Sequence, residues 1–112
     1  MKYPYTIEYF MIGTDRQPVM ALPKEIELVT GFLLTEIRQP LEKNNFMQGI
    51  SLVLQDKVSY WVVGGNVYKL EIRKDFTRVV DTLAEEETTC SIETEELKQL
   101  MEVWVAITKE KS

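Results

Sequence analysis

The spacing of hydrophobic positions changes along the chain, and each change marks an element. In Tyr3-Pro4-Tyr5-Thr6-Ile7-Glu8-Tyr9-Phe10-Met11-Ile12, the residues Tyr3, Tyr5, Ile7, Tyr9 and Met11 recur at a period of two. That period, with aromatic and β-branched content, predicts a strand, and Gly13 to Pro18 reads as its exit loop. Pro23 opens a helix at no cost, because its missing N–H would be unpaired in a first turn anyway. Ile26, Val29, Leu33 and Ile37 then share one stripe until Pro40, so a helix is expected over about 23–38. Gly31 weakens it by about 1 kcal/mol relative to Ala, and Glu25-Ile26-Glu27-Leu28-Val29 also alternates as a strand would.

From Gly49 the period returns to two. Ile50, Leu52 and Leu54 alternate with Ser51, Val53 and Gln55, and Asp56-Lys57 offers a turn into Val58 to Val63, which predicts an antiparallel hairpin. Gly64-Gly65-Asn66 makes a second turn, since Gly and Asn accept positive φ. Val67 to Arg73, with Tyr68, Leu70 and Ile72 against Lys69, Glu71 and Arg73, is the clearest strand. Lys74-Asp75 turns into Phe76 to Leu83, and Glu87 to Ile92 adds another strand. Thr94 then caps a last helix, with Glu95 and Glu96 at its positive end and Lys109 and Lys111 at the other. Leu97, Leu100, Met101, Trp104 and Ile107 form its apolar face. The expected fold is α+β: an antiparallel sheet of four to six strands, largely a meander, packed against an N-terminal-half helix and the C-terminal helix. Trp104, Leu100, Leu97 and Ile107 are expected to bury against strand residues such as Leu70 and Ile72. No repeat, low-complexity stretch or Gly/Ser/Pro-rich linker interrupts the sequence, so residues 1–112 read as a single domain.

Composition narrows the function classes. At 45% hydrophobic and 28% charged, the chain is neither disordered nor fibrous. Cys90 is its one cysteine, which rules out an internal disulfide and suits a reducing compartment. No apolar run approaches the roughly 18 to 20 residues of a membrane span, and MKYPYTIEYF lacks a signal peptide's apolar stretch, so the expected address is the cytoplasm, away from membranes. The chain has no histidine, which removes the commonest general base and the usual zinc sites. With no phosphate-cradling Gly motif either, no enzyme activity, catalytic residue, metal site, cofactor or small-molecule substrate is expected. Cys90 would need another group to activate it as a nucleophile. Gly64-Gly65-Asn66 reads as a hairpin turn or a small anion nest, and Asp75 with Glu71 as solvated charges or an acid/base pair.

Charge placement says more than its total of −5. That total, with a pI near 4.8, argues against direct nucleic-acid binding. Between residues 81 and 96 lie Asp81, Glu85, Glu86, Glu87, Glu93, Glu95 and Glu96 and no base. The segment is either a solvated loop and helix start or a docking face for a basic protein. Tyr60 and Trp61 are consecutive in a strand, so they point to opposite faces, and one is left for the surface or an interface. The candidate partner-binding residues are therefore Asp81, Glu85, Glu86, Glu87, Glu93, Tyr60 and Trp61.

Three segments carry a family resemblance: Tyr60-Trp61-Val62-Val63-Gly64-Gly65-Asn66-Val67, Leu70-Glu71-Ile72-Arg73-Lys74-Asp75, and Cys90-Ser91-Ile92-Glu93-Thr94-Glu95-Glu96-Leu97 running into Val103-Trp104. Residues 58–108 resemble the small cytoplasmic immunity proteins of bacterial polymorphic toxin systems, including those of contact-dependent growth inhibition. In these, a strand meander leads into an I-x-T-x-E-[LF] helix start and a Trp-containing helix. The resemblance implies an immunity protein that binds a cognate basic toxin domain, a nuclease in this reading, one to one and occludes its active or substrate-binding site without turnover. The residues alone also leave open a small non-catalytic adaptor or subunit of a larger assembly, and an enzyme using carboxylates.

Overall fold

A computed structural model describes residues 2–38 and 40–111. The chain runs β1 (Thr6–Ile12), β2 (Asp15–Ala21), α1 (Glu27–Glu36), α2 (Asn45–Leu54), β3 (Tyr60–Gly64), β4 (Tyr68–Arg73), β5 (Phe76–Asp81), β6 (Thr88–Glu93) and α3 (Thr94–Lys111). The strands form two antiparallel sheets, a β1–β2 ribbon and a four-stranded meander in the order β3-β4-β5-β6. The α+β expectation holds, with both expected helices present. Among the described residues, no helix is long and apolar enough to cross a membrane.

Two local expectations fail. The presumed exit loop after β1 is a two-residue turn, Gly13-Thr14, followed by strand β2; Pro18 and the polar Asp15-Arg16-Gln17 run hide that strand from a propensity reading. The presumed strand at 50–55 is helix α2, and β3 pairs with β4 instead. Helical spacing wins because the apolar stripe starts earlier than Gly49: Phe46, Met47, Ile50 and Val53 all lie on the buried side. Asn44 starts this helix, its Oδ1 accepting from the N–H of Phe46 at 2.9 Å and of Met47 at 3.1 Å. Asp56, at φ 60°, ends it, with Lys57 N–H reaching back to Leu52 C=O and Asp56 N–H to Val53 C=O, the Schellman pattern.

The register divides the meander into two faces. Inward lie Trp61, Val63, Leu70, Ile72, Thr77, Val79, Cys90 and Ile92; outward lie Tyr60, Val62, Glu71, Arg73, Phe76, Arg78 and Ser91. Leu70, Ile72, Val79 and Ile92 are fully buried, in one cluster with Val29, Phe32, Leu33, Ile50, Val53 and the α3 residues Leu97, Leu100, Met101 and Trp104. α2 covers β3 and β4, whereas α3 packs on β5, β6, α2 and β2. Trp104 thus lies at the end of α1, its Nε1 donating to Ile37 C=O at 3.1 Å, and Ile107 is only half-buried. The ribbon packs on α1 and α3, Thr30 Oγ1 donating to Met20 C=O at 2.7 Å.

Candidate partner-binding surfaces

Folding splits the acidic segment in two. Asp81, at the end of β5, opposes Thr88, and Phe76 opposes Glu93, so β6 separates the two acidic groups by its whole length, roughly 17 Å at about 3.3 Å per residue. Asp81, Glu85, Glu86 and Glu87 gather at the β5–β6 turn, while Glu93, Glu95 and Glu96 gather at the start of α3. Asp81 Oδ1 accepts the N–H of Leu83 at 3.0 Å, which shapes the turn and leaves Glu85 and Glu86 exposed at its tip. Glu87 pairs with Arg78, which also lies 3.4 Å from Glu71; Glu71 in turn lies 3.3 Å from Lys69. Alternating charges therefore cross the outer face of the meander from β4 to the acidic turn.

Glu93 has a different employment. It accepts hydrogen bonds from Lys2 Nζ and Tyr3 Oη, both at 2.5 Å, while Lys2 N–H donates to Glu96 Oε1 at 2.9 Å. These bonds from Lys2 and Tyr3 favour the ionised form and hold the Glu93 carboxyl at about 2, well below the usual carboxylate range. The same contact raises the Tyr3 hydroxyl and the Lys2 ammonium above their ordinary values. Glu93 fastens the N-terminal segment to the meander.

Tyr60 and Trp61 take opposite faces, as strand alternation requires. Tyr60 is 43% exposed on the outer face, with the Arg73 guanidinium 4.3 Å from its ring centroid. Trp61 lies over α2 at Gly49, where a Cβ would come within 2.6 Å of Trp61 Cδ1. Because β3 is an edge strand, this indole still keeps 41% of its surface open. Tyr60 sits two strands from β5 and at the opposite end from Asp81, beside the exposed Val62 and with Arg73 between it and the exposed Phe76. Tyr60 and Glu87's partner Arg78 share the outer face, Glu85 and Glu86 form a lip beyond it, and Trp61 belongs to neither.

One acid important to this region escaped the sequence reading. Glu36, in the last turn of α1, accepts from the N–H of Asn66 at 3.1 Å, Val67 at 2.8 Å and Tyr68 at 2.8 Å. The Gly64-Gly65-Asn66 segment is thus both a turn and a nest, and its anion is internal; any Cβ at Gly65 would run into the Glu36 carboxylate. The available signal was an acid at a helix C-terminus, where the macrodipole disfavours it unless other donors compensate. Cys90 is half-buried, and burial pushes its thiol up to about 11, away from thiolate chemistry at neutral pH. Among the described residues, no group of three or more His, Cys, Asp or Glu is placed to hold a metal ion.

The ribbon presents a second surface. Its tip residues Phe10 and Ile12 overhang a groove of about 860 Å³, floored by Leu34, Ile37, Trp104 and Val105. No protein-family model matches the chain, and no solved structure matches it. A curated protein of Bacillus cereus named "Immunity protein" is 43% identical over 106 residues, covering 93% of this chain and 86% of that protein. The alignment includes both the meander with its acidic turn and most of the first half, so the likeness extends well beyond residues 58–108. An identity of this size across both layers of the fold settles the relationship: the chain belongs to the immunity-protein family.

Proposed function

We propose that the chain is a cytoplasmic immunity protein that binds a cognate basic toxin domain, a nuclease of a polymorphic toxin system such as contact-dependent growth inhibition, and neutralises it one to one by covering its active or substrate-binding site. The observation that carries this reading is the 43% identity to an immunity protein over nearly the whole chain. The geometry supports it. Helices cover only the inner face of the meander; the outer face offers Tyr60, Val62 and Phe76 toward one end, and Glu87 with the turn acids Glu85 and Glu86 lies at the other, where Asp81, on the inner-face side opposite Tyr68, shapes the turn. An apolar anchor region beside a charged lip suits a protein partner: aromatic side chains supply contact area, and acids steer a basic partner. Glu85 and Glu86 carry most of the steering, since Glu87 already pairs with Arg78. Inhibition then comes from steric and electrostatic occlusion with no turnover. The test titrates the chain into the co-encoded toxin domain while its activity is followed. Loss of activity complete at one equivalent is expected, whereas complete loss at a small fraction of an equivalent contradicts occlusion.

A further inference from the structure

Tyr5, Tyr9, Phe10, Met11 and Ile12, in or beside β1, remain 37% to 63% exposed. In its sheet β1 has β2 as its only neighbour, so one backbone edge is open. The turn determines which groups face that edge. Gly13, at φ +62°, and Thr14 form a two-residue hairpin loop, so the flanking pair Ile12 and Asp15 exchanges hydrogen bonds and pairing alternates from there. Tyr9 consequently stands opposite Pro18 at a non-hydrogen-bonded position, where a residue without an N–H fits. The N–H and C=O groups of Ile7, Tyr9 and Met11 therefore point away from β2, to the open edge. Natural edges are usually blunted by charged side chains, above all lysine, by proline or by a bulge, and β1 carries a single charge, Glu8, with no lysine or proline in Thr6-Ile7-Glu8-Tyr9-Phe10-Met11-Ile12 and an unbroken register against β2.

We infer that a second copy of the chain pairs along this edge, β1 against β1, antiparallel about a two-fold axis at Tyr9, so that two ribbons become one four-stranded sheet. In that register Tyr9 meets its own copy, Ile7 meets Met11, Thr6 meets Ile12 and Glu8 meets Phe10, so no like charges stand opposite each other. Charge also selects a like partner here. The molecule carries −5 overall, yet the ribbon Thr6–Ala21 holds only Glu8, Asp15 and Arg16, a net charge of −1, which makes it a nearly neutral place for two acidic molecules to meet. The Arg16 guanidinium is drawn in over the Tyr9 ring, 4.0 Å from its centroid. With about 150 to 250 Å² per aromatic side chain, the exposed ribbon residues offer on the order of 500 Å² per copy, and the resulting ~1,000 Å² total sits at the lower bound for specific interfaces. The helix layer separates the ribbon from the outer face of the meander, so each copy keeps its toxin-facing surface.

Sedimentation velocity over a micromolar to submillimolar series, with amide exchange measured at each end, tests the inference. The chain should pass from monomer to dimer, and the amides of Ile7, Tyr9 and Met11 should slow at least about tenfold as dimer fills. Met11→Lys, at a 61% exposed position, should stay monomeric with unchanged circular dichroism. Tyr9→Pro removes only an edge donor from the backbone pattern and should also stay monomeric. A chain monomeric throughout, a dimer whose three amides exchange at the monomer rate, or a folded Met11→Lys or Tyr9→Pro that still dimerises would each overturn it.

Discussion

The two sheets contrast in how their surfaces are used. The meander buries the centre of one face, with Leu70, Ile72, Val79 and Ile92 fully covered by helices and only the edge-strand Trp61 partly open, and keeps charges interspersed on the other. The ribbon buries Met20 and Pro18 and half-buries Ile7, and leaves Tyr9, Phe10, Met11 and Ile12 exposed from its middle to its tip. A sheet with a finished core can devote its second face and its turn to a charged partner. A two-stranded ribbon is marginal in water by itself and gains from packing or from further strands. The difference teaches that exposed apolar residues mark an interface most clearly where the local structure has least independent stability.

Substitutions separate the two regions, starting with the largest expected effect. Trp104→Ala removes a 3% exposed indole that joins α3 to the end of α1, and should cost about 3 to 5 kcal/mol in chemical denaturation. A loss below about 1 kcal/mol would mean that α3 is loosely held, and would erase the distinction between a finished core and a dependent ribbon. Glu36→Ala leaves three amides at the β3–β4 turn without their acceptor and should cost about 1 to 3 kcal/mol. Amide exchange should accelerate first at Asn66, Val67 and Tyr68. Smaller still is the pH effect at Glu93, which ties the segment before β1 to the end of β6. Its carboxyl, held at about 2 when folded, lies below the ordinary glutamate value of about 4.3. The contribution of Glu93 is therefore fully present above that ordinary value and is lost as pH falls through the folded one. Wild type and Glu93→Gln should accordingly differ in melting temperature at pH 6 and converge as pH approaches 2, with the difference kept modest by solvent exposure.

The same contrast explains what could be read from the sequence. α3 and strands β4 to β6 were legible because their patterns are complete: Thr94 and the following acids mark a helix start, and Tyr68, Leu70 and Ile72 alternate without interruption. α2 was hidden because Ile50, Leu52 and Leu54 alternate inside a longer helical stripe that begins at Phe46 under the Asn44 cap. β2 was hidden because Pro18 is compatible with a strand only at a position known once the turn at Gly13-Thr14 fixes the register. For the candidate surfaces, the opposite facing of Tyr60 and Trp61 follows from the pleat alone. The separation of Glu93 from Glu85 to Glu87 does not, since a continuous acidic run reads as one patch until β6 is laid between its halves. The capture of Glu36 by the Gly64-Gly65-Asn66 turn depends on a contact across some thirty residues of chain, which local patterns do not encode.

The most direct measurement is the association rate of the co-encoded toxin domain with three forms of the chain, wild type, Glu85→Lys/Glu86→Lys and Met11→Lys, at two ionic strengths by surface plasmon resonance. Steering by the acidic turn predicts that the double variant associates at least about tenfold more slowly at low salt, that the gap narrows at high salt, and that Met11→Lys associates as wild type does. Wild-type association of the double variant at both ionic strengths, with the loss appearing in Met11→Lys instead, would contradict the account and move the toxin to the ribbon.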